Sequence, residues 1–123
     1  MDTSLDSQIT LAISAHAKWK NRLNQAIATG NSDIDVATAA RDNVCDFGRW
    51  LHTGVTLAQK QAPQYKACVE LHARFHAAAA DVLKLAVTGK KDEAAQLLSA
   101  ANSPFNAAST ALTREMMAWK NAA

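Results

Sequence analysis

The chain has 123 residues, of which 49% are hydrophobic, and carries a formal net charge of +2. This length suits one buried core, so we predict a single domain over residues 1–123. Charged residues of both signs are interspersed, without the basic stripe that binds a phosphate backbone, and this excludes nucleic acid as an expected partner. No apolar run approaches the roughly 20 residues of a membrane span, and the N-terminus lacks a signal-peptide pattern. We therefore expect a cytoplasmic protein without membrane insertion.

The composition predicts an all-α fold. Alanine is abundant, there are only 4 Gly and 2 Pro, and β-branched residues do not cluster. The two cysteines, Cys45 and Cys68, are not expected to form a disulfide, because the cytosol is reducing. Each is therefore predicted to be a free thiol or a metal ligand.

A first helix is predicted from Ser4 to Ala28, with Gly30 ending it as a C-terminal cap. One face of this segment carries residues at alternating steps of four and three, as a buried helix face does. These residues are Leu5, Ile9, Ala12, His16, Trp19, Leu23 and Ala26. Ser32 or Asp33 is expected to begin a short second helix that runs to about Val44.

The segment from Cys45 to Ala62 has no continuous apolar face, so we expect a helical turn followed by a loop. Pro63 suits the first turn of a third helix, which is predicted to end near Thr88, before the capping Gly89. Its buried face comprises Tyr65, Cys68, His72, Phe75, Ala79, Val82 and Ala86.

A fourth helix is predicted to begin near Asp92 and Glu93, whose negative charges suit a helix N-terminus. Pro104 interrupts its apolar stripe, so we expect a kink near Asn102 to Ser103. The stripe consists of Leu97, Leu98, Ala101, Phe105, Ala108, Leu112, Met116 and Trp119. These segments predict an antiparallel four-helix bundle, in which a short, irregular second-helix region carries Cys45.

Two histidines, His16 and His72, lie on stripes where a bundle core needs only apolar side chains. His72 and His76 are four residues apart, which places them on one helix face at a separation suited to one metal ion. His16 lies near the middle of the inward face of the first helix, at a level that a bundle can bring beside them. The alternative is a surface pair, or buried histidines that bond to backbone and carboxylate groups.

Cys45 is the predicted fourth ligand, since a turn at the start of its irregular segment can direct the sulfur inward. Three imidazoles and one thiolate complete a tetrahedral site for Zn²⁺. The alternative for Cys45 is an ordinary buried thiol. His52 is expected to be exposed or to support a ligand, and Cys68 is expected to pack in the core.

Nothing in the sequence indicates catalysis. It contains no Gly-rich phosphate loop, no nucleophile elbow and no His-Glu-x-x-His helix. Four protein ligands also leave zinc no open position for a substrate water, so we predict that the protein is not an enzyme. Two alternatives remain: a metal-dependent enzyme that lacks one of these ligands, and a metal-free helical interaction module.

Three segments of the chain resemble the chemoreceptor zinc-binding (CZB) domain family. They are His16-Ala17-Lys18-Trp19-Lys20, Cys45-Asp46-Phe47-Gly48-Arg49-Trp50-Leu51 and His72-Ala73-Arg74-Phe75-His76. The resemblance extends over nearly the whole chain and assigns zinc binding to His16, Cys45, His72 and His76, one Zn²⁺ per chain.

The resemblance also implies a function in bacterial signalling. Members of the family form homodimers and are attached to chemotaxis receptors or diguanylate cyclases, whose output they modulate. The signal is zinc itself, or hypochlorous acid that oxidises the zinc-bound cysteine, here Cys45. Trp19, Trp50 and Trp119 exceed the needs of a small core, which favours a second copy as a packing partner, although ordinary burial explains them as well. The alternative function is a structural zinc in a helical protein-interaction module.

Overall fold

The computed structural model describes residues 5–32, 34–41 and 45–122, and all the regular structure among them is helical. The fold is an all-α bundle, as predicted. The helices are α1 (Leu5–Thr29), α2 (Val36–Ala40), α3 (Asp46–Thr53), α4 (Leu57–Lys60), α5 (Pro63–Val87), α6 (Lys91–Ser99) and α7 (Pro104–Ala122).

The three long helices, α1, α5 and α7, enclose the core. The predicted apolar stripes of α1, α5 and α7 are buried, except that Tyr65 is half-buried. In the part of the fourth stripe before Pro104, Leu98 is buried, Leu97 is half-buried and Ala101 is exposed, so the prediction for Ala101 was wrong. Helix α5 lies at the centre, against α7, α2, α1 and α6.

Gly30, directly after α1, has a φ of +75°, and Gly89, which follows the cap residue Thr88 of α5, has a φ of +84°. This left-handed conformation suits glycine, so both predicted caps are confirmed. None of the helices described combines the length and the apolar character of a membrane span.

The second helix differs from its predicted bounds. It begins at Val36, because the carboxylate of Asp35 accepts a hydrogen bond from the Thr38 N–H and caps this end. The Ser32 hydroxyl instead forms a local turn with the backbone of Ile34. The helix ends at Ala40, short of the predicted end. Asp33 and Val44, named in that prediction, lie outside the described residues.

The segment after Cys45 contains two short helices. The predicted helical turn is the start of the longer α3, and the predicted loop was wrong because α4 lies within it. The Cys45 sulfur accepts a hydrogen bond from the Gly48 N–H and caps α3. Thr56 and Gln59 form a reciprocal capping box at the start of α4. These local caps allow helices to form without a continuous apolar face.

The predicted fourth helix is divided into α6 and α7, where we expected only a kink. Pro104 occupies the first position of α7 and begins a new helix there. The Asn106 side-chain amide donates hydrogen bonds to the carbonyls of Leu98 and Ala100, at 2.7 and 2.8 Å. These bonds stabilise the break, because they provide hydrogen-bond donors for carbonyls at the end of α6 that lack partners within the helix.

Candidate metal centre

Four side chains from three parts of the bundle converge on one point. His16 projects from the buried face of α1, His72 and His76 lie one turn apart on α5, and Cys45 caps α3. One donor atom from each of the four lies within 4.8 Å of the others. The structure thus brings together all four residues that the sequence nominated as metal ligands.

Four of the six distances between the donor atoms match the edges of a tetrahedron around zinc, and the other two are no longer than 4.8 Å. Zn–N bonds of about 2.0 Å and Zn–S bonds of about 2.3 Å require N···N edges of about 3.3 Å and N···S edges of about 3.5 Å. The His72 Nε2 atom lies 3.2 Å from His16 Nε2 and 3.1 Å from His76 Nε2. The Cys45 Sγ atom lies 3.4 Å from His72 Nε2 and 3.6 Å from His76 Nε2. These four edges fit one shared ion.

Hydrogen bonding alone does not account for this arrangement. The Nε2 atom of His72 has three close neighbours: the Nε2 atoms of His16 and His76, and the Cys45 sulfur. A neutral ring nitrogen is either a donor with one proton or an acceptor with one lone pair, so it cannot bond to all three. A cation at the centre would satisfy all of them at once. The donor set therefore fits Zn²⁺.

The second ring nitrogen of His76, Nδ1, indicates which tautomer this residue adopts. The Nδ1 atom of His76 lies 3.0 Å from the Ala39 carbonyl oxygen, so it carries the proton and donates it. This contact leaves the Nε2 lone pair of His76 directed at the centre, as in most histidine metal ligands. The buried Nδ1 atoms of His16 and His72 have no hydrogen-bond partner among the described residues.

Burial keeps the imidazoles of His16 and His72 neutral. It lowers the pKa of His16 to about 4, and the nearby His76 adds to the effect. Burial, followed by the neighbouring His76 and His16, lowers the pKa of His72 to about 2. Both rings therefore keep a free lone pair at neutral pH, which is the form that binds a metal.

Cys45 is half-buried, and its sulfur is held by the first turn of α3. Burial raises the pKa of its thiol, whereas the Gly48 N–H, 3.3 Å from the sulfur, opposes this rise. A groove of about 780 Å³ between α1 and α3 reaches Cys45, His16 and His76 from the surface. The Cys45 sulfur is therefore held in place by the Gly48 N–H and is also accessible from the surface through the groove.

Aromatic rings enclose the cluster. Phe47 contacts His72 edge-on, with ring centroids 5.2 Å apart, and Phe75 lies 4.9 Å from His16. Trp19 stands edge-on to His76 at 5.9 Å. These apolar rings lower the polarity beside the histidines, which strengthens electrostatic interactions there.

Two residues that competed for a ligand role lie outside the cluster. His52 is exposed near the end of α3, and Cys68 is fully buried one turn before His72 on α5.

The sequence did not predict the hydrogen bond between His76 and the Ala39 carbonyl, which orients the His76 ring. Alanine has no polar side chain, so only the three-dimensional position of α2 reveals this contact.

A family model described as the chemoreceptor zinc-binding domain matches residues 16–83. The match begins at His16 and contains Cys45, His72 and His76. It ends within α5, so it is shorter than the resemblance drawn from the sequence, and α6 and α7 lie beyond it. No match was found among curated proteins or among solved structures.

Proposed function

The chain belongs to the chemoreceptor zinc-binding domain family, and on that premise we propose that it is a sensory or regulatory domain of bacterial signalling. It would bind one Zn²⁺ through His16, Cys45, His72 and His76. The single observation that supports this most strongly is that four of the six distances between their donor atoms match the edges of a zinc tetrahedron. The family is a zinc-binding one, and the four residues form a possible zinc site.

The proposed signal is the occupancy of the site or oxidation of Cys45 by hypochlorous acid. Bound zinc would hold the sulfur as a thiolate, the nucleophilic form. Transfer of OH from hypochlorous acid to this thiolate gives a sulfenic acid and releases chloride. A sulfenic sulfur is a weaker donor, so oxidation would detach Cys45 and loosen α3. The groove beside Cys45 offers a small oxidant its approach.

We place this domain in the cytoplasm, as a homodimer that modulates an attached chemoreceptor or diguanylate cyclase. Trp19 and Trp119 are buried within the single chain, so they no longer argue for a second copy. The dimer proposal rests on the family alone. Sedimentation velocity at high protein concentration tests it, and a species of monomer mass throughout would contradict it.

A catalytic role is not part of the proposal. Four protein ligands close the coordination of a tetrahedral zinc, which leaves no position for a substrate water. The second possibility, a structural zinc in an interaction module, predicts that oxidants leave the conformation of α3 unchanged.

Elemental analysis of protein purified without a metal-affinity tag tests the proposal. We expect about one zinc per chain, and less in the Cys45→Ala and His72→Ala variants, because each lacks one donor. His52→Ala is the matched control: it removes a histidine outside the cluster and should keep its zinc. A parent protein without metal that also takes up no added zinc would refute the proposal.

A further inference from the structure

Helix α3 connects the metal centre with the last turn of α7. Its N-terminal end carries Cys45 as the cap and Phe47, whose ring lies against His72 at 5.2 Å. On its inner face Phe47, Gly48 and Leu51 are buried. A displacement of the Cys45 sulfur therefore displaces a short, well-packed helix and not a free loop.

The C-terminal half of α3 is held by α5 and α7. The Trp50 ring packs against Trp119 of α7, with centroids 5.5 Å apart. The Tyr65 hydroxyl of α5 donates a hydrogen bond to the Leu51 carbonyl at 3.0 Å, and its ring contacts Trp119 at 5.7 Å. Both ends of α3 thus have fixed partners.

The absence of a side chain at Gly54 leaves room for the Trp50 ring. A Cβ atom at this residue would lie 2.7 Å from the Cδ1 atom of Trp50, closer than real Cβ contacts. The backbone of Gly54 has φ of −111°, which any residue adopts, so the contact with the indole is the steric constraint here. Substitution of Gly54 by alanine therefore displaces the Trp50 ring without removing a core side chain.

Trp119 lies in the last turn of α7, where this helix meets the start of α1. The neighbouring Lys120 forms an ion pair with Asp6 of α1, with 3.2 Å between Nζ and Oδ1. Contacts therefore lead from Cys45 along α3, through Trp50 and Trp119, to the end of the bundle where α1 begins and α7 ends.

We propose that Trp50 is a positioning residue for Cys45, and that its contact with Trp119 couples the ligand state of Cys45 to the C-terminal end of α7. This rests on the proposed function, since the ligand is zinc. Coupling is reciprocal: if zinc at Cys45 favours one placement of Trp50, then displacing Trp50 weakens zinc binding by the same factor.

The test measures zinc affinity by competition with a chromophoric chelator. Gly54→Ala should weaken binding about tenfold in the parent protein, as a change beside a ligand does. In a Cys45→Ala background the same substitution should change affinity by less than about twofold, because Trp50 then has no ligand to position. Gly89→Ala is the matched control: it strains a glycine at φ +84° with open space around it, and should leave affinity unchanged.

A second readout follows the contact between Trp50 and Trp119, the two tryptophans that remain when Trp19 is replaced. Trp19 lies directly on His76, so Trp19→Phe removes the indole that would report zinc without any coupling. In this variant zinc should still shift the tryptophan emission, and the shift should be smaller with Gly54→Ala added.

Equal losses of affinity from Gly54→Ala in both backgrounds, or no loss in either, would overturn the coupling. An emission that zinc leaves unchanged in Trp19→Phe would do the same. If the parent protein binds no zinc, the proposed function is refuted, and the coupling is refuted with it. That outcome differs from both results above, in which zinc binds.

Discussion

The two cysteines show how position decides the chemistry of one residue type. Cys45 is half-buried, contacts two histidines and borders a groove. Cys68 is fully buried, and burial, with a smaller effect from Glu115, raises the pKa of its thiol to about 12. A thiol reacts with alkylating agents as the thiolate, so the two should differ widely in reactivity.

We expect iodoacetamide at pH 7 to modify Cys45 in zinc-depleted protein, and to leave Cys68 unmodified until the protein unfolds. Bound zinc should slow the alkylation of Cys45, because iodoacetamide is bulkier than hypochlorous acid and must reach a sulfur that already donates to the metal. Mass spectrometry of digested protein measures both sites, and protein alkylated in guanidinium is the control for full reactivity. Modification of Cys68 as fast as Cys45 in the folded protein would contradict this reading of the core.

At the scale of the helices, α2 supports the site through its backbone. The Ala39 carbonyl fixes the ring of His76, and Asp35 caps the five-residue helix that carries this carbonyl. An isolated helix this short is unstable, so the cap and the packing against α5 hold it in place.

Asp35→Ala should therefore weaken zinc binding. Loss of such a cap costs a helix about 1 kcal/mol, and loss of a hydrogen bond to a ligand lowers metal affinity by about tenfold or more. Thr56→Ala is the matched control, since Thr56 caps α4 in the same way away from the cluster. Chelator competition measures both variants, and equal affinities would show that α2 does not position His76.

The sequence predicts the long helices well because each has a continuous apolar stripe. Pro63 and Gly89 mark α5 to within one residue at its end. The short helices α2, α3 and α4 were misjudged because side-chain caps from Asp35, Cys45 and Thr56 determine them, and no periodic pattern signals those caps. The division at Pro104 was missed for a related reason, since the hydrogen bonds of Asn106 decide between a kink and a break.

The convergence of the four nominated ligands was predicted from spacing and from the family resemblance together. His72 and His76 follow from spacing alone, since residues one turn apart share a helix face. The level of His16 and the direction of the Cys45 sulfur depend on how α1, α3 and α5 pack. One sequence alone does not predict how far these helices are shifted along one another.

In the whole molecule, the apolar core extends well beyond the metal centre. Its buried residues include Leu83 and Phe105, at the opposite end of the long helices from Trp119. The bundle formed by α1, α5 and α7 should therefore keep its helices without zinc, whereas α2 and α3 depend on it more.

Removal of zinc should lower the melting temperature while most of the helical circular dichroism signal remains. A ligand that binds only the folded state raises the free energy of unfolding by about 4 kcal/mol when its free concentration is a thousandfold above Kd. For a domain of this size, that corresponds to a rise in Tm of about 10–20 °C. Hydrogen exchange should increase most in α2 and α3. Complete loss of helicity on chelation would instead indicate a fold that exists only with metal.

Zinc K-edge X-ray absorption of the loaded protein identifies the atoms bound to the metal. We expect four-coordinate zinc with three nitrogen ligands at about 2.0 Å and one sulfur ligand at about 2.3 Å. The sulfur should be lost in Cys45→Ala. A spectrum without sulfur in the parent protein, or one with an added water in place of a histidine, would contradict a closed site formed by His16, Cys45, His72 and His76.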